Sequence, residues 1–147
     1  MPKALKNILL IEDDPAHAEI FTFYARRLFE TVTVEHLADG EVALTYFEEL
    51  TLPGPSLPEI IFLDLNLPRY SGVEVLTRIR QNPLACRIPA VIFTSSESER
   101  DIHLSWKLGA SSYLRKPMEE NGFEPLIRKA LSYWAGNERD RTLYETA

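Results

Sequence analysis

The chain is poor in the features that mark several functional classes. It has one cysteine, Cys86, so no internal disulfide can form, and without a second thiol or a histidine cluster nearby it suggests no metal site. The three histidines, His17, His36 and His103, show no ligand spacing, and surface or packing roles are expected of them. Positive charge is in the minority: 16 Lys and Arg stand against 22 Asp and Glu, a formal net charge of -6. Phosphate contacts need clustered cations, and no such cluster is visible, which argues against a nucleic-acid-binding module. Long hydrophobic runs are also missing. After Met1–Asn7 comes only Ile8–Ile11, too short for a signal-peptide core or a membrane span, so no membrane contact and a cytoplasmic location are expected.

What is present fits one compact domain. The chain has 147 residues, of which 45% are hydrophobic and 26% charged, a balance typical of globular proteins. Asn7–Ile11 reads as a buried strand ending in Glu12-Asp13-Asp14, and Asp14 before Pro15 can cap a helix that runs to about Phe29. Ile20, Phe21, Tyr24 and Leu28 give that helix one apolar stripe. Thr31–Leu37 suits a strand, and Asp39-Gly40 opens a second helix carrying Ala43, Leu44, Phe47 and Leu50. The proline-rich stretch 51–58 reads as a stiff surface connection.

Ile60–Leu63 is a continuous apolar run of strand length, as expected where helices cover both faces of a parallel sheet. Val75, Leu76 and Ile79 mark a third helix, Ala90–Thr94 a fourth strand, and about Glu99–Leu108 a fourth helix stopped by Gly109. Ser112–Leu114 is a fifth strand. Asn121 with Glu124 predicts a capping box for a last helix, whose inner face holds Phe123, Leu126, Ile127, Ala130, Leu131 and Trp134. Five strands alternating with five helices imply an open, doubly wound parallel sheet with helices on both faces, which binds ligands at the carboxyl ends of its strands.

That edge carries the chemistry. Glu12 and Asp13 follow the first strand, Asp64 the third, Thr94 ends the fourth and Lys116 follows the fifth. Gathered carboxylates repel one another unless a hard divalent cation neutralises them, and magnesium suits two carboxylates plus a backbone carbonyl. Asp64 is a competent nucleophile toward phosphorus once charge on the transferring group is cancelled. Lys116 can supply a compact positive charge and Thr94 a hydroxyl donor. Taken singly, each residue also reads as a cap, a turn residue or a surface lysine; the joint occurrence at successive strand ends favours the functional reading.

The segments Ile8–Asp14, Ile60–Pro68 with Gly72, Phe93-Thr94-Ser95, and Gly109-Ala110 through Tyr113–Pro117 together resemble the response-regulator receiver family of two-component signalling. The resemblance implies a flavodoxin-like α/β fold with five strands in the order 2-1-3-4-5, a receiver domain over 1–134 and a tail, 135–147, without an output domain. It implies that Asp64 is the phospho-acceptor and that Asp13, Asp64 and the Asn66 main-chain carbonyl bind Mg2+, with Glu12 acting through a metal-bound water. Thr94, Ser95 and Lys116 would line the phosphoryl group, Thr94 and Tyr113 would form the switch, and Lys116–Pro117 would be a cis peptide. Glu12 in place of the commoner aspartate, and Met118 in place of phenylalanine, depart from the family pattern.

The proline-rich insert and the Ser132-Tyr133-Trp134 ending are similar to single-domain receivers paired with bacterial phytochrome histidine kinases. The implied partners are therefore a sensor histidine kinase, a bacteriophytochrome by this likeness, and a downstream phosphotransfer or effector protein. The expected interaction face is Ile102, Trp106 and Tyr113, with Trp106 either an exposed anchor or packed against the fifth helix. Tyr133, Trp134 and Tyr144 are expected to add aromatic surface that supports a homodimer. The rival readings are an aspartate-nucleophile phosphatase, a flavin or nucleotide module and a scaffold that works without phosphorylation. The first lacks an acid at Asn66 to protonate a leaving group. The second lacks a phosphate-cradling turn after the first strand. The third leaves every phospho-chemistry position filled without use.

Overall fold

The computed structural model describes residues 4–136. Strand β1 (Asn7–Ile11) lies inside the sheet because its apolar run has helices over both faces, and β3 (Ile60–Leu63) and β4 (Ala90–Thr94) are fully buried for the same reason. The edge strands are more open: β2 (Thr33–Leu37) buries only Leu37, and β5 (Ser112–Arg115) is half-buried. All neighbouring pairs are parallel, and the order across the sheet is β2-β1-β3-β4-β5, which is the expected doubly wound arrangement.

The two sheet faces carry separate cores, set by the alternation of side chains along each strand. Ile8, Leu10, Ile60, Phe62, Val91 and Phe93 pack with helices α1 (Pro15–Leu28) and α5 (Phe123–Gly136). Leu9, Ile11, Ile61, Leu63, Ala90 and Ile92 pack with α2 (Gly40–Glu49) and α3 (Gly72–Gln81). Helix α4 (Glu99–Lys107) is attached more lightly, and Ser105 is its one fully buried residue. Among the described residues no helix is long and apolar enough to cross a membrane.

Caps fix where the helices begin. Asp14 accepts from the backbone N–H groups of Ala16 and His17, with Pro15 in the first turn, and Asp39 accepts from Val42 N–H. Ser71 and Glu74 form a reciprocal capping box at α3. The box expected at Asn121 and Glu124 does not form: Glu120–Gly122 is a short 3-10 turn that leads directly into α5, and Asn121 lies within it. A 3-10 entry satisfies leading N–H groups by tighter turns, so the side-chain cap is not required.

Two further expectations are corrected. The Lys116–Pro117 peptide is trans, as are all described peptide bonds; the trans form is intrinsically favoured before proline, and the long lysine stem reaches its partners from it. Trp134 lies on the inner face of α5, as its spacing predicts, and so adds no aromatic surface: it is 8% exposed and belongs to the α1–α5 core, with Tyr133 packed partly against the same core. Tyr144 and the rest of 137–147 lie outside the described residues.

Candidate functional site

Parallel pairing brings the strand ends to one edge. Ile11 pairs with Leu63 and Leu63 with Ile92, so the residues just beyond them converge. The backbone continues the ladder past the strands: Asp64 N–H donates to the Ile11 carbonyl at 3.0 Å, Glu12 N–H to the Leu37 carbonyl at 3.0 Å and Lys116 N–H to the Thr94 carbonyl at 2.7 Å. These bonds hold the first residue of each loop as firmly as the strand before it.

Four of the side chains at this edge are buried. Glu12, Asp64, Thr94 and Lys116 are 1%, 4%, 0% and 6% exposed, burial that charged groups tolerate only when paired. The Lys116 ammonium donates to Asp64 Oδ2 at 2.7 Å and to Glu12 Oε1 at 2.7 Å. The other Asp64 oxygen accepts from Asn66 N–H at 3.1 Å, and Glu12 Oε2 accepts from Asp14 N–H at 3.2 Å. Lys116 Nζ also lies 5.8 Å from the centre of the Phe93 ring.

Carboxylate oxygens of Glu12, Asp13 and Asp64 lie within 4.8 Å of one another, with Asp13 at the exposed rim. An all-oxygen donor set of this spacing suits a hard divalent cation. The site is already organised around positive charge, because the ammonium bridges two of the three acids. Burial, together with the Asp64 charge, pushes the Glu12 carboxyl up to about 7. Burial works against the charge on Lys116, but its hydrogen bonds to Asp64 and Glu12 outweigh this and raise its pKa. Two acids therefore share one secure ammonium.

The remaining expected residues fall around this centre. Thr94 closes β4 with its Oγ1 accepting from Ser96 N–H at 3.4 Å. Ser95 and Asn66 stand at the exposed rim. Tyr113 is half-buried and its hydroxyl donates to the Ser96 carbonyl at 2.9 Å; burial raises its pKa despite that bond. Ser96 Oγ in turn donates to Asp101 Oδ2 at 2.6 Å, tying the loop after β4 to α4. Trp106 is 51% exposed, and Ile102, one turn earlier, is half-buried. Trp106 lines a groove of about 390 Å³ with Ser112, Leu114, Leu126, Tyr133 and Trp134, so it faces α5 and the β5 side chains that alternate with Tyr113.

One residue at the site escaped the sequence reading. His17, treated above as a surface or packing histidine, sits with Nδ1 2.9 Å from Lys116 Nζ and with its ring 5.1 Å from that of Phe123. The available signal was its place in the first turn of the helix that follows the acidic cluster. His36 also touches the site's frame, with Nε2 2.6 Å from the Glu12 carbonyl oxygen.

The chain is similar to known proteins. The family model for the response regulator receiver domain matches residues 8–128. The probable methanogenesis regulatory protein FilR2 of Methanothrix harundinacea is 36% identical over 132 residues, covering 90% of this chain and 85% of that protein. Response regulator Rcp1 of Synechocystis is 34% identical over 134 residues, covering 88% of each chain, and a crystal structure of Mn(2+)-bound Rcp1 superposes with a TM-score of 0.71 at 32% identity, covering 88% of this chain and 94% of that one. The phosphorylated cyanobacterial phytochrome response regulator RcpA superposes with a TM-score of 0.80 at 30% identity, covering 89% of this chain and 94% of that one.

Proposed function

The chain belongs to the response regulator receiver domain family of two-component signalling, and on that premise we propose that it accepts a phosphoryl group on Asp64 from a sensor histidine kinase in a Mg2+-dependent reaction. The observation that carries this reading is the pairing of a buried Asp64 with the Lys116 ammonium at 2.7 Å inside an acidic cluster.

In the proposed step an Asp64 carboxylate oxygen attacks phosphorus, the P–N bond to the donor imidazole breaks, and the imidazole leaves with that electron pair and takes a proton. Lys116 turns from the Asp64 oxygen to a phosphoryl oxygen, which keeps its charge beside the group being transferred. The Thr94 hydroxyl donates to another phosphoryl oxygen, and the small Ser95 leaves room at the rim. Asp13, Asp64 and the Asn66 carbonyl are the proposed Mg2+ ligands, with Glu12 reaching the ion through water. When bound, the ion would neutralise charge on the phosphoryl oxygens. The all-oxygen cluster supports this, as does the manganese-bound Rcp1 relative.

The output we propose is a change of binding partner or a relay of the phosphoryl group, not turnover of a substrate. The path runs from Thr94 through the loop at Ser96 to Tyr113 and α4, which the Tyr113–Ser96 and Ser96–Asp101 bonds support. Trp106, with the groove it lines beside Ser112 and Leu114, is the proposed contact for a downstream phosphotransfer or effector protein, and Ile102 and Tyr113 lie outside that groove. Likeness to a phytochrome response regulator supports a bacteriophytochrome as the kinase. A phosphatase would need an acid where Asn66 stands.

Incubation with acetyl phosphate and Mg2+, read by intact mass, is expected to add one phosphoryl group to the parent and none to Asp64→Asn. Equal labelling of both proteins, or none of the parent under these conditions, would sink the proposal.

A further inference from the structure

We infer that His17 is a positioning residue for the phosphoryl-transfer chemistry, holding the Lys116 ammonium through Nδ1; this rests on the reading of Asp64 and Lys116 given above. An ammonium has three N–H groups and no acceptor. Lys116 directs them to Glu12 Oε1 at 2.7 Å, Asp64 Oδ2 at 2.7 Å and His17 Nδ1 at 2.9 Å. Lys116 lies between two carboxylates and stays charged, so the atom facing it from His17 must carry a lone pair. That requires the neutral ring with its proton on Nε2.

Nδ1 also lies 3.5 Å from Asp14 Oδ2, a longer contact than the one to Lys116, and the residue is held in place from two sides. Its backbone N–H is bound by the Asp14 cap at 3.3 Å, which fixes the first turn of α1, and the face of the imidazole leans on Phe123 of α5 at 5.1 Å with the planes tilted by 38°. A neutral acceptor suits this position for an electrostatic reason. The site already has three carboxylates and is to receive a phosphoryl dianion, so another anion at residue 17 would draw the ammonium away from phosphorus. Imidazole fixes one N–H of Lys116 without competing for its charge. When Asp64 becomes an acyl phosphate and Lys116 exchanges the Asp64 oxygen for a phosphoryl oxygen, the bond to His17 keeps Nζ from swinging out.

Two variants separate this from a packing role. His17→Phe keeps a ring against Phe123 and removes the acceptor; His17→Asn loses the ring and places an amide oxygen close to where Nδ1 was. With acetyl phosphate and saturating Mg2+, His17→Phe is expected to be phosphorylated at least about tenfold more slowly than the parent, and His17→Asn to recover most of that rate. A packing role predicts the reverse order, and that result, or equal rates in all three proteins, would overturn the inference.

A second readout needs no phosphorylation. Two-bond 1H–15N correlation spectra of the metal-free protein should show His17 as the Nε2–H tautomer, with the Nδ1 resonance shifting in Lys116→Met. A protonated Nδ1, or no response to Lys116→Met, refutes the contact itself. A parent that takes up no phosphoryl group would instead refute the reading of Asp64, and the role proposed for His17 with it.

Discussion

Glu12 is buried deeply enough to compete with its own ionisation, and that gives the site a pH dependence at the scale of one residue. Its carboxyl is pushed from an ordinary 4.5 to about 7, so in the metal-free protein it is half-protonated near neutrality. The contribution of this group to stability is complete below 4.5 and is lost as the pH rises through about 7. A divalent cation binds the ionised cluster, so it must displace this proton. Mg2+ affinity, followed by titration calorimetry, is therefore expected to rise about tenfold between about pH 6 and about pH 8, with proton uptake by the buffer. A flat profile would show that Glu12 is ionised throughout. At this scale Asp64, Lys116 and Thr94 were legible because each is a chemically apt side chain at the end of an apolar strand. His17 was not, since its meaning depends on a partner 99 positions away that only the folded sheet brings near. The cis Lys116–Pro117 bond was expected from the family resemblance alone, and the trans form found is the one favoured before proline.

At the scale of elements, the site depends on how closely α3 approaches the loop after β3. Gly72 begins α3, donates its N–H to the Leu65 carbonyl at 2.9 Å, and has the Asp64 carbonyl oxygen 2.2 Å from where a Cβ would stand, with Leu65 Cα at 2.6 Å. Those neighbours are backbone, so neither can rotate aside. Gly72→Ala is expected to lower stability by about 1–3 kcal/mol in urea denaturation, and to slow phosphorylation because relief moves the Asp64 main chain. Unchanged stability with an unchanged rate would mean that α3 can retreat freely. Strands β3 and β4 and the Asp14 and Asp39 caps were legible because an all-apolar run and a side-chain acceptor before a helix are local signals. The start of α5 was not: Asn-x-x-Glu fits a capping box, yet the same residues accommodate a 3-10 turn, and tertiary packing of Phe123 against α1 and the sheet decides between them. The edge strand β2 likewise begins at Thr33, where pairing with Asn7 starts, and not at Thr31.

At the scale of the whole molecule, attachment is uneven, and that supports α4 as the proposed signalling surface. The central strands are buried on both faces, whereas α4 fully buries only Ser105, whose Oγ has no hydrogen-bond partner among the described residues. Weakly attached elements respond first to a change at the site, and α4 joins the β4 loop through the Ser96–Asp101 bond. Its exposed Trp106 borders the groove against β5 and α5, so a partner or second copy seated there would bury an aromatic anchor without unfolding anything. Trp106→Ala is therefore expected to change stability by no more than about 0.5 kcal/mol while weakening association at this face by about 2 kcal/mol or more. Urea melts give the first quantity, and sedimentation equilibrium with and without acetyl phosphate and Mg2+ gives the second for the proposed homodimer. A large loss of stability would reassign Trp106 to packing against α5. Association that survives the substitution would move the interface away from α4, and a parent that remains monomeric in both states would leave the groove to a different protein.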